Sequence, residues 1–235
     1  MNPSFKTLGS FLILILLLNI SLFAHAIDNL DKDSQVPNDE MTFSTSVDDL
    51  EDDEENWVTM EDKTVIDAPI ELVSLFFTDV QKTITMTPGL KNKRILESIS
   101  DNNRIDYDHY KLMWPFQDRF MIYRARKEFY KKDQILIKIN SVENYPYQER
   151  DKVRGYINNS SVLLKTTKKN PFKTSVKIKM NVNPGGWLPK WLVKFHTGSW
   201  AKELLKNLRE DVKAYLEEQK YPKTLPLKKL QSSIE

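Results

Sequence analysis

The sequence contains no cysteine among its 235 residues. This absence excludes disulfide-stabilised scaffolds, thiolate metal sites, redox dithiols and cysteine nucleophiles. Histidine is scarce as well, with only His25, His109 and His196, so a metal site built from histidines is nearly excluded. The chain also has no nucleophile elbow, phosphate-binding loop or metal-ligand spacing. We therefore expect no catalytic residue, no bound metal and no cofactor.

The chain also lacks an apolar run of membrane-spanning length. Its longest run, Phe11–Leu18, is much shorter than the roughly 20 residues that a spanning helix needs. Lys6 precedes this run, and small residues follow it at 24–26, which is the layout of a secretory signal peptide. The sequence thus predicts a signal peptide over residues 1–26, cleavage near Ala26, and a periplasmic or secreted mature protein. An uncleaved anchor is the alternative.

The net charge of +2 conceals a strong separation of charge along the chain. Residues 27–56 hold twelve Asp or Glu and one Lys, a net charge of −11. By subtraction, residues 57–235 hold 33 basic and 21 acidic side chains, a net of +12. The apolar residues of the acidic segment follow no period, which predicts a disordered, solubilising arm. In the alternative, Asp48–Glu55 folds back onto the basic body and competes with anionic partners.

Residues 57–222 have the pattern of one folded domain of the α+β class. Thr64–Asp67 is typical of a strand, and Pro69 suits the first turn of a helix whose apolar face begins at Ile70. Extended segments separated by turn residues follow. They are Arg94–Ser100, Arg104–Trp114, Asp118–Tyr130, Gln134–Val142, Val153–Thr167 and Thr174–Val182. Such a succession predicts an antiparallel sheet with one wet face.

A long amphipathic helix is predicted from Leu188 to Leu216, with a kink near Gly198 and an end before Pro222. Residues 223–235 are predicted to be a flexible tail. The helix is the one element large enough to cover the apolar face of the sheet. We expect a cavity between the two.

Three segments resemble the START family, the lipid-transfer domains related to steroidogenic acute regulatory protein. Residues 65–69 (Val-Ile-Asp-Ala-Pro) resemble the entry from strand to helix, and residues 114–124 resemble the Pro-x-Asn-Arg-Asp-aromatic strand. Residues 183–191 match the Gly-Trp-Leu-Pro-Lys entry to the C-terminal helix. The usual Arg-Asp pair is inverted as Asp118-Arg119. The resemblance spans residues 60–218 and implies a helix-grip fold, a curved antiparallel sheet wrapped around a long C-terminal helix, with one lipid or sterol in an internal tunnel.

The resemblance also implies a ligand-binding site. It turns the strand face of Phe120, Ile122 and Arg124 inward and matches Asp108 to the cavity carboxylate of the family. A buried arginine needs a partner, so we expect an Asp108–Arg124 ion pair that either contacts the polar end of a lipid or is purely structural. The predicted tunnel wall consists of Val176, Ile178, Met180, Leu192 and Phe195, with core packing as the alternative for each.

Together these features predict a monomeric, non-enzymatic, exported carrier of one lipid or sterol. An anionic membrane surface suits the basic body better than nucleic acid, because export argues against nucleic acid. Two alternatives stay open. A cyclase- or hydratase-like enzyme of the helix-grip superfamily would need Asp108, His109 and Tyr110 to converge on one pocket. An interaction module would have a cavity filled by its own aromatic residues.

Overall fold

A computed structural model describes residues 57–130, 133–168 and 170–219, apart from the side chains of Tyr130, Lys190, Lys194, Phe195 and His196. The predicted signal peptide, acidic arm and C-terminal tail lie outside these residues, and so does the side chain of Phe195. Those predictions therefore stay predictions.

Eight strands and four helices follow one another along the described chain. In chain order they are β1 Val58–Ile66, α1 Ile70–Thr78, α2 Val80–Met86, β2 Leu90–Ser100, β3 Asn103–Tyr110, β4 Arg119–Tyr130, β5 Gln134–Ser141, β6 Val153–Ile157, β7 Ser160–Thr167, β8 Asn170–Asn183, α3 Lys190–Gly198 and α4 Trp200–Glu218.

Local sequence accounts for where the helices begin. Pro69 is the N-cap of α1 rather than a first-turn residue, with an extended backbone at φ −60° and ψ 151°. Asp79 caps α2, because its carboxylate accepts a hydrogen bond from the backbone N–H of Lys82 at 2.9 Å. The predicted C-terminal helix divides at Ser199, directly after Gly198, into α3 and α4.

The strands form one curved sheet in the order β1-β8-β7-β5-β4-β3-β2. Neighbours along this path are antiparallel, as predicted, while β6 pairs with β8 antiparallel and with β4 in parallel. The parallel pair joins Arg119–Met121 to Val153–Gly155, a long-range register that no local pattern encodes. The curved antiparallel sheet with a C-terminal helix is confirmed.

Several predicted strand boundaries are wrong. Three strands begin four to six residues earlier than predicted: β1 at Val58, β2 at Leu90 and β8 at Asn170. The segment Arg104–Trp114 stops being a strand at Tyr110, because residues 111–118 form a connecting loop. The segment Val153–Thr167 is two strands, interrupted at Asn159, whose left-handed backbone (φ 48°) breaks the extended run.

Apolar side chains are buried on both faces of the sheet. The main core lies on the concave face, where α4 contacts β1, α1, α2 and α3. A second, smaller cluster lies on the opposite face, with Ile105, Tyr107, Phe120 and Ile122 beneath Tyr147 and its neighbours. The face of the sheet that was predicted to be solvent-exposed is therefore partly covered by apolar side chains.

Candidate functional site

Two adjoining cavities lie between the concave face of the sheet and the C-terminal helices. The larger has a volume of about 140 Å³ and the smaller about 70 Å³. Four residues, Tyr110, Ile157, Met180 and Trp200, line both. Most of the wall of the larger cavity is apolar and includes Val58, Met60, Met121, Val182, Leu188 and Leu192. The space suits an apolar molecule.

The structure places the predicted wall residues at different depths. Met180 lines both cavities, Ile178 lines the smaller one and Leu192 lines the larger one. Val176 is fully buried in the main core but lines neither of these two cavities, so the core-packing interpretation applies to it.

Polar groups converge in the wall of the smaller cavity. The ammonium group of Lys93 lies 2.9 Å from the carboxylates of both Asp106 and Asp108, and it donates a short hydrogen bond to the hydroxyl of Tyr123. That hydroxyl donates to Asp108 at 2.8 Å. Arg104 lies 2.9 Å from the other oxygen of Asp106. Two cations therefore compensate two carboxylates away from water.

The ammonium of Lys93 donates hydrogen bonds to Asp108 and Tyr123 and forms an ion pair with Asp106. Tyr110 is held more loosely, since its hydroxyl donates to Asp108 at 3.4 Å. Burial, reinforced by Asp108, holds the pKa of the Tyr110 and Tyr123 hydroxyls well above their ordinary value, so both stay protonated at neutral pH. Tyr110 lines both cavities, so its protonated hydroxyl lies close to where they meet.

The predicted Asp108–Arg124 pair is wrong. Asp108 lies opposite Met121 across β3 and β4, and Arg124 is exposed on the other face of the sheet. The β4 residues that line the two cavities are Arg119, Met121, Tyr123 and Ala125. Ile122 is fully buried in the second cluster and lines neither of the two described cavities.

Sequence reasoning missed Lys93. It lies in a run of basic and polar residues, Lys91-Asn92-Lys93-Arg94, which has the composition of a solvated edge. Its burial follows from the pairing of Lys93 with Asp108 across β2 and β3. Irregular register on both sides of that pair removes the alternation that would have revealed an inward residue.

Exposed aromatic side chains surround the larger cavity. Two segments contribute to its wall, residues 111–118 and residues 184–191, which we name the rim segments. Each also carries a tryptophan in solvent, with 88% of Trp114 and 77% of Trp187 exposed. Trp191 is 61% exposed, whereas Trp200 is half-buried and its indole N–H donates to the Pro88 carbonyl at 3.2 Å.

Neither a metal cluster nor a membrane-spanning helix occurs in the described part of the chain. No group of three or more His, Cys, Asp or Glu side chains is placed there to hold a metal ion. Its helices are each too short or too polar to cross a bilayer.

A search of curated protein sequences found no match. The START domain family model, in contrast, matches residues 44–218, about three-quarters of the chain. The chain belongs to the START domain family.

Solved structures resemble this START domain in fold. Human STARD10 has a TM-score of 0.64 at 18% identity, over 81% of this chain and 86% of that one. A fragment of the STAR-related lipid transfer protein from Xanthomonas axonopodis has a TM-score of 0.58 at 18% identity, over 74% and 99%. Human StAR-related lipid transfer protein 5 has a TM-score of 0.58 at 14% identity, over 83% and 95%. At these identities the likeness establishes the fold.

Asp118 and Arg119, the inverted pair of this START domain, bind different partners. Asp118 accepts from the backbone N–H of Leu112 at 3.0 Å and contacts Nε2 of His109 at 2.7 Å. Burial opposes ionisation of Asp118, but these hydrogen bonds outweigh it and hold its pKa below the ordinary value. Arg119 instead bonds backbone carbonyls of both rim segments.

Asp108, His109 and Tyr110 do not converge on one pocket, as the enzyme alternative would require. Asp108 and Tyr110 line the smaller cavity, but the ring of His109 is tied to Asp118 through Nε2. Successive residues of a strand point to opposite faces, which is why the three side chains separate.

Proposed function

We propose that this START domain is a monomeric, non-enzymatic carrier that binds one lipid or sterol between its sheet and its C-terminal helices. The proposal rests on one observation above all. The fold leaves the larger cavity unfilled, and the wall of this cavity consists mainly of apolar side chains. Two of its structural relatives are named lipid transfer proteins, which agrees with the proposal. Met180, Ile178 and Leu192 would contact the apolar body of the ligand.

The buried polar cluster would act on the ligand mainly through Tyr110. Lys93 is already engaged by Asp106, Asp108 and Tyr123, and Asp108 accepts hydrogen bonds from Lys93 and Tyr123. Tyr110 faces both cavities and has the longest hydrogen bond of the cluster. In this proposal Asp108 orients the Tyr110 hydroxyl, which is then available to a polar group of the ligand.

The rim segments would dock on an anionic membrane surface. Their exposed tryptophans present amphipathic rings beside the cavity, the kind of side chain that sits at the level of lipid headgroups. The rim segments contain two lysines and one acidic residue, Asp118, whose carboxylate is engaged by His109. Each lysine near an anionic surface contributes about 1 kcal/mol. Docking there would open the cavity towards the bilayer.

Vesicle co-sedimentation tests the docking face. Trp114→Ala and Trp187→Ala should each weaken binding to vesicles that contain anionic lipid. Phe129→Ala is the matched control, because Phe129 is also an exposed aromatic residue (63%) but belongs to neither rim segment. Equal losses in all three variants would remove the rim segments from the proposal.

Export is the remaining part of the proposal, and its basis is the signal-peptide pattern of residues 1–26. Expression of the full chain in a bacterium, followed by fractionation and intact-mass measurement, tests it. We expect a periplasmic or secreted product that begins near Ile27. A full-length product in the cytoplasm would contradict export.

Native mass spectrometry of the protein, purified without detergent, tests the carrier function itself. A single bound mass, identified after organic extraction, is the expected result. A protein that is empty and also refuses a panel of offered lipids and sterols would overturn the carrier proposal, and the interaction module would then be the better explanation.

A further inference from the structure

Arg119 is a buried cation without a carboxylate partner among the described residues. Only 4% of the residue is exposed, and its guanidinium donates to three backbone carbonyls: Pro184 at 3.1 Å, Gly185 at 3.3 Å, and Gln117 in a short hydrogen bond. Carbonyl dipoles satisfy hydrogen bonds but do not neutralise a full charge. The neighbouring Asp118 attracts Arg119 electrostatically but forms no ion pair with it, because its carboxylate is engaged by His109 and by the backbone N–H of Leu112.

This charge lies in the wall of the larger cavity. Arg119 contributes to that wall together with Leu112, Pro184 and Leu188. A guanidinium has five N–H bonds in a rigid fork, and the three carbonyls use three of them. The two others have no acceptor in the described part of the chain. The side chain therefore carries a charge that forms no ion pair with a carboxylate in the described part of the chain, and unused donors, next to a space with a mainly apolar wall.

The contrast with the smaller cavity is informative. There, Lys93 and Arg104 face two carboxylates, so the charges balance without a ligand. An anionic group would find no net attraction in that balanced cluster, whereas Arg119 would attract it in the larger cavity. The two adjoining cavities therefore differ in electrostatics, and the positive charge lies at the Arg119 end of the larger one.

We propose that Arg119 binds the anionic group of an amphiphilic ligand, a carboxylate or a phosphate, whose apolar chain occupies the larger cavity. This inference rests on the proposed carrier function and specifies the class of its ligand. The fork of the guanidinium matches the two oxygens of either group. A lipid with a neutral polar end would bring no ion-pair partner to Arg119 and would bind less tightly.

Binding of four probes by isothermal titration calorimetry, each kept below its micelle concentration, tests the proposal. Dodecanoate and dodecyl phosphate carry the anion, dodecanol has the same chain without the charge, and inorganic phosphate has the anion without the chain. We expect both anionic amphiphiles to bind the wild-type protein at least about tenfold more tightly than dodecanol. Inorganic phosphate alone should bind weakly, because it lacks the apolar contacts.

Arg119→Met should abolish the preference for the anionic probes while leaving the affinity for dodecanol within about twofold. Arg154→Met is the matched control: the guanidinium of Arg154 also donates to a backbone carbonyl, that of Val142, but it lines neither described cavity. If Arg119→Met does not fold, Arg119→Lys keeps the charge and should lower the preference without removing it.

The outcomes are distinct. Equal binding of dodecanoate, dodecyl phosphate and dodecanol to the wild-type protein would overturn the anion site and leave the carrier function intact. A preference that survives Arg119→Met would also overturn it. Failure of all three chain-bearing probes would reject the carrier function, and the anion site with it. If inorganic phosphate binds as tightly as dodecyl phosphate, the site takes free anions and the amphiphile proposal is overturned.

Discussion

Lys93 and Asp108 lie directly opposite each other on β2 and β3, and a 2.9 Å ion pair joins them inside the protein. Each is almost inaccessible to water, yet both line the smaller cavity. Asp106, two residues away on the same strand, binds the same ammonium. This arrangement gives one end of an otherwise apolar space a fixed set of charges.

Lys93→Met should destabilise the protein by about 3–5 kcal/mol, because it leaves the buried carboxylate of Asp108 without a cation. Urea unfolding measures the change. Asp106 keeps its ion pair with Arg104, so the double variant Lys93→Met/Asp108→Leu should recover most of the loss. A single variant within 1 kcal/mol of the wild type, on the order of an exposed ion pair, would contradict the structural role of the cluster.

Leu192→Phe should reduce the affinity for dodecanol about tenfold or more, because the larger side chain fills part of the larger cavity. Leu208→Phe is the matched control, since Leu208 is equally buried and lines neither of the two cavities. Overpacking should cost each variant about 1–3 kcal/mol of stability. Calorimetric titration and thermal unfolding separate the two effects. Equal losses of affinity in both variants would show that the cavity is not where the chain binds.

Gly185→Ala should destabilise the turn before α3 strongly. Gly185 has φ +70°, and an added Cβ would lie 1.9 Å from the carbonyl oxygen of Arg154, a backbone atom that cannot move aside cheaply. The left-handed conformation alone costs roughly 1–2 kcal/mol for a residue with a side chain.

Gly198→Ala is the contrasting control for Gly185→Ala. No atom lies within 4 Å of a Cβ added at Gly198, which ends α3. This variant should be neutral or more stable by roughly 0.5–1 kcal/mol. The thermal unfolding midpoint should therefore fall clearly for Gly185→Ala and stay the same or rise for Gly198→Ala. Similar shifts of the midpoint in both variants would contradict the turn geometry.

Acid should remove a stabilising contribution of Glu149. Burial opposes its ionisation, but hydrogen bonds from Lys152, Tyr147 and Tyr107 outweigh it and lower its pKa from 4.5 to about 2. A carboxyl whose pKa is lower in the folded state stabilises the fold above its unfolded pKa, and the gain is lost as the pH falls towards the folded value. The stability difference between wild type and Glu149→Gln should hence shrink between about pH 4.5 and pH 2.

Urea unfolding of both proteins across that pH range is the measurement. Other carboxyls titrate in both proteins, so the difference between the two curves isolates Glu149. A constant difference would show that the hydroxyls of Tyr107 and Tyr147 do not hold this carboxylate.

Much of the architecture could be predicted because its signals are local. Residues 183–191 carry the turn and the helix entry that mark the family, and β8 alternates so regularly that Ile178 and Met180 were recognised as inward. The helix from Leu188 onwards was predicted from its apolar spacing, with its kink one residue from the observed break. These features depend on residues that are neighbours in the chain, where periodicity is visible.

Strand β4 shows why the site could not be predicted as fully. Phe120, Met121, Ile122 and Tyr123 are all buried, because the concave core covers one face and the tyrosines of the segment after β5 cover the other. An alternating pattern exists only where one face meets water. Because both faces of β4 are covered, its orientation could be predicted only from the family resemblance. That prediction placed Arg124 inward, whereas the inward residue is Tyr123.

By itself, the sequence determined the family, the order of most elements, the helix-grip arrangement, the inward face of β8 and the inward position of Asp108. Only the tertiary structure decided that Lys93 and not Arg124 pairs with Asp108, that Arg119 is buried with carbonyls alone, and that Trp114 and Trp187 stand in solvent. The physical reason is that burial of a charge or of an indole depends on which distant strands and loops cover it. Those pairings are long-range, and a local pattern does not encode them.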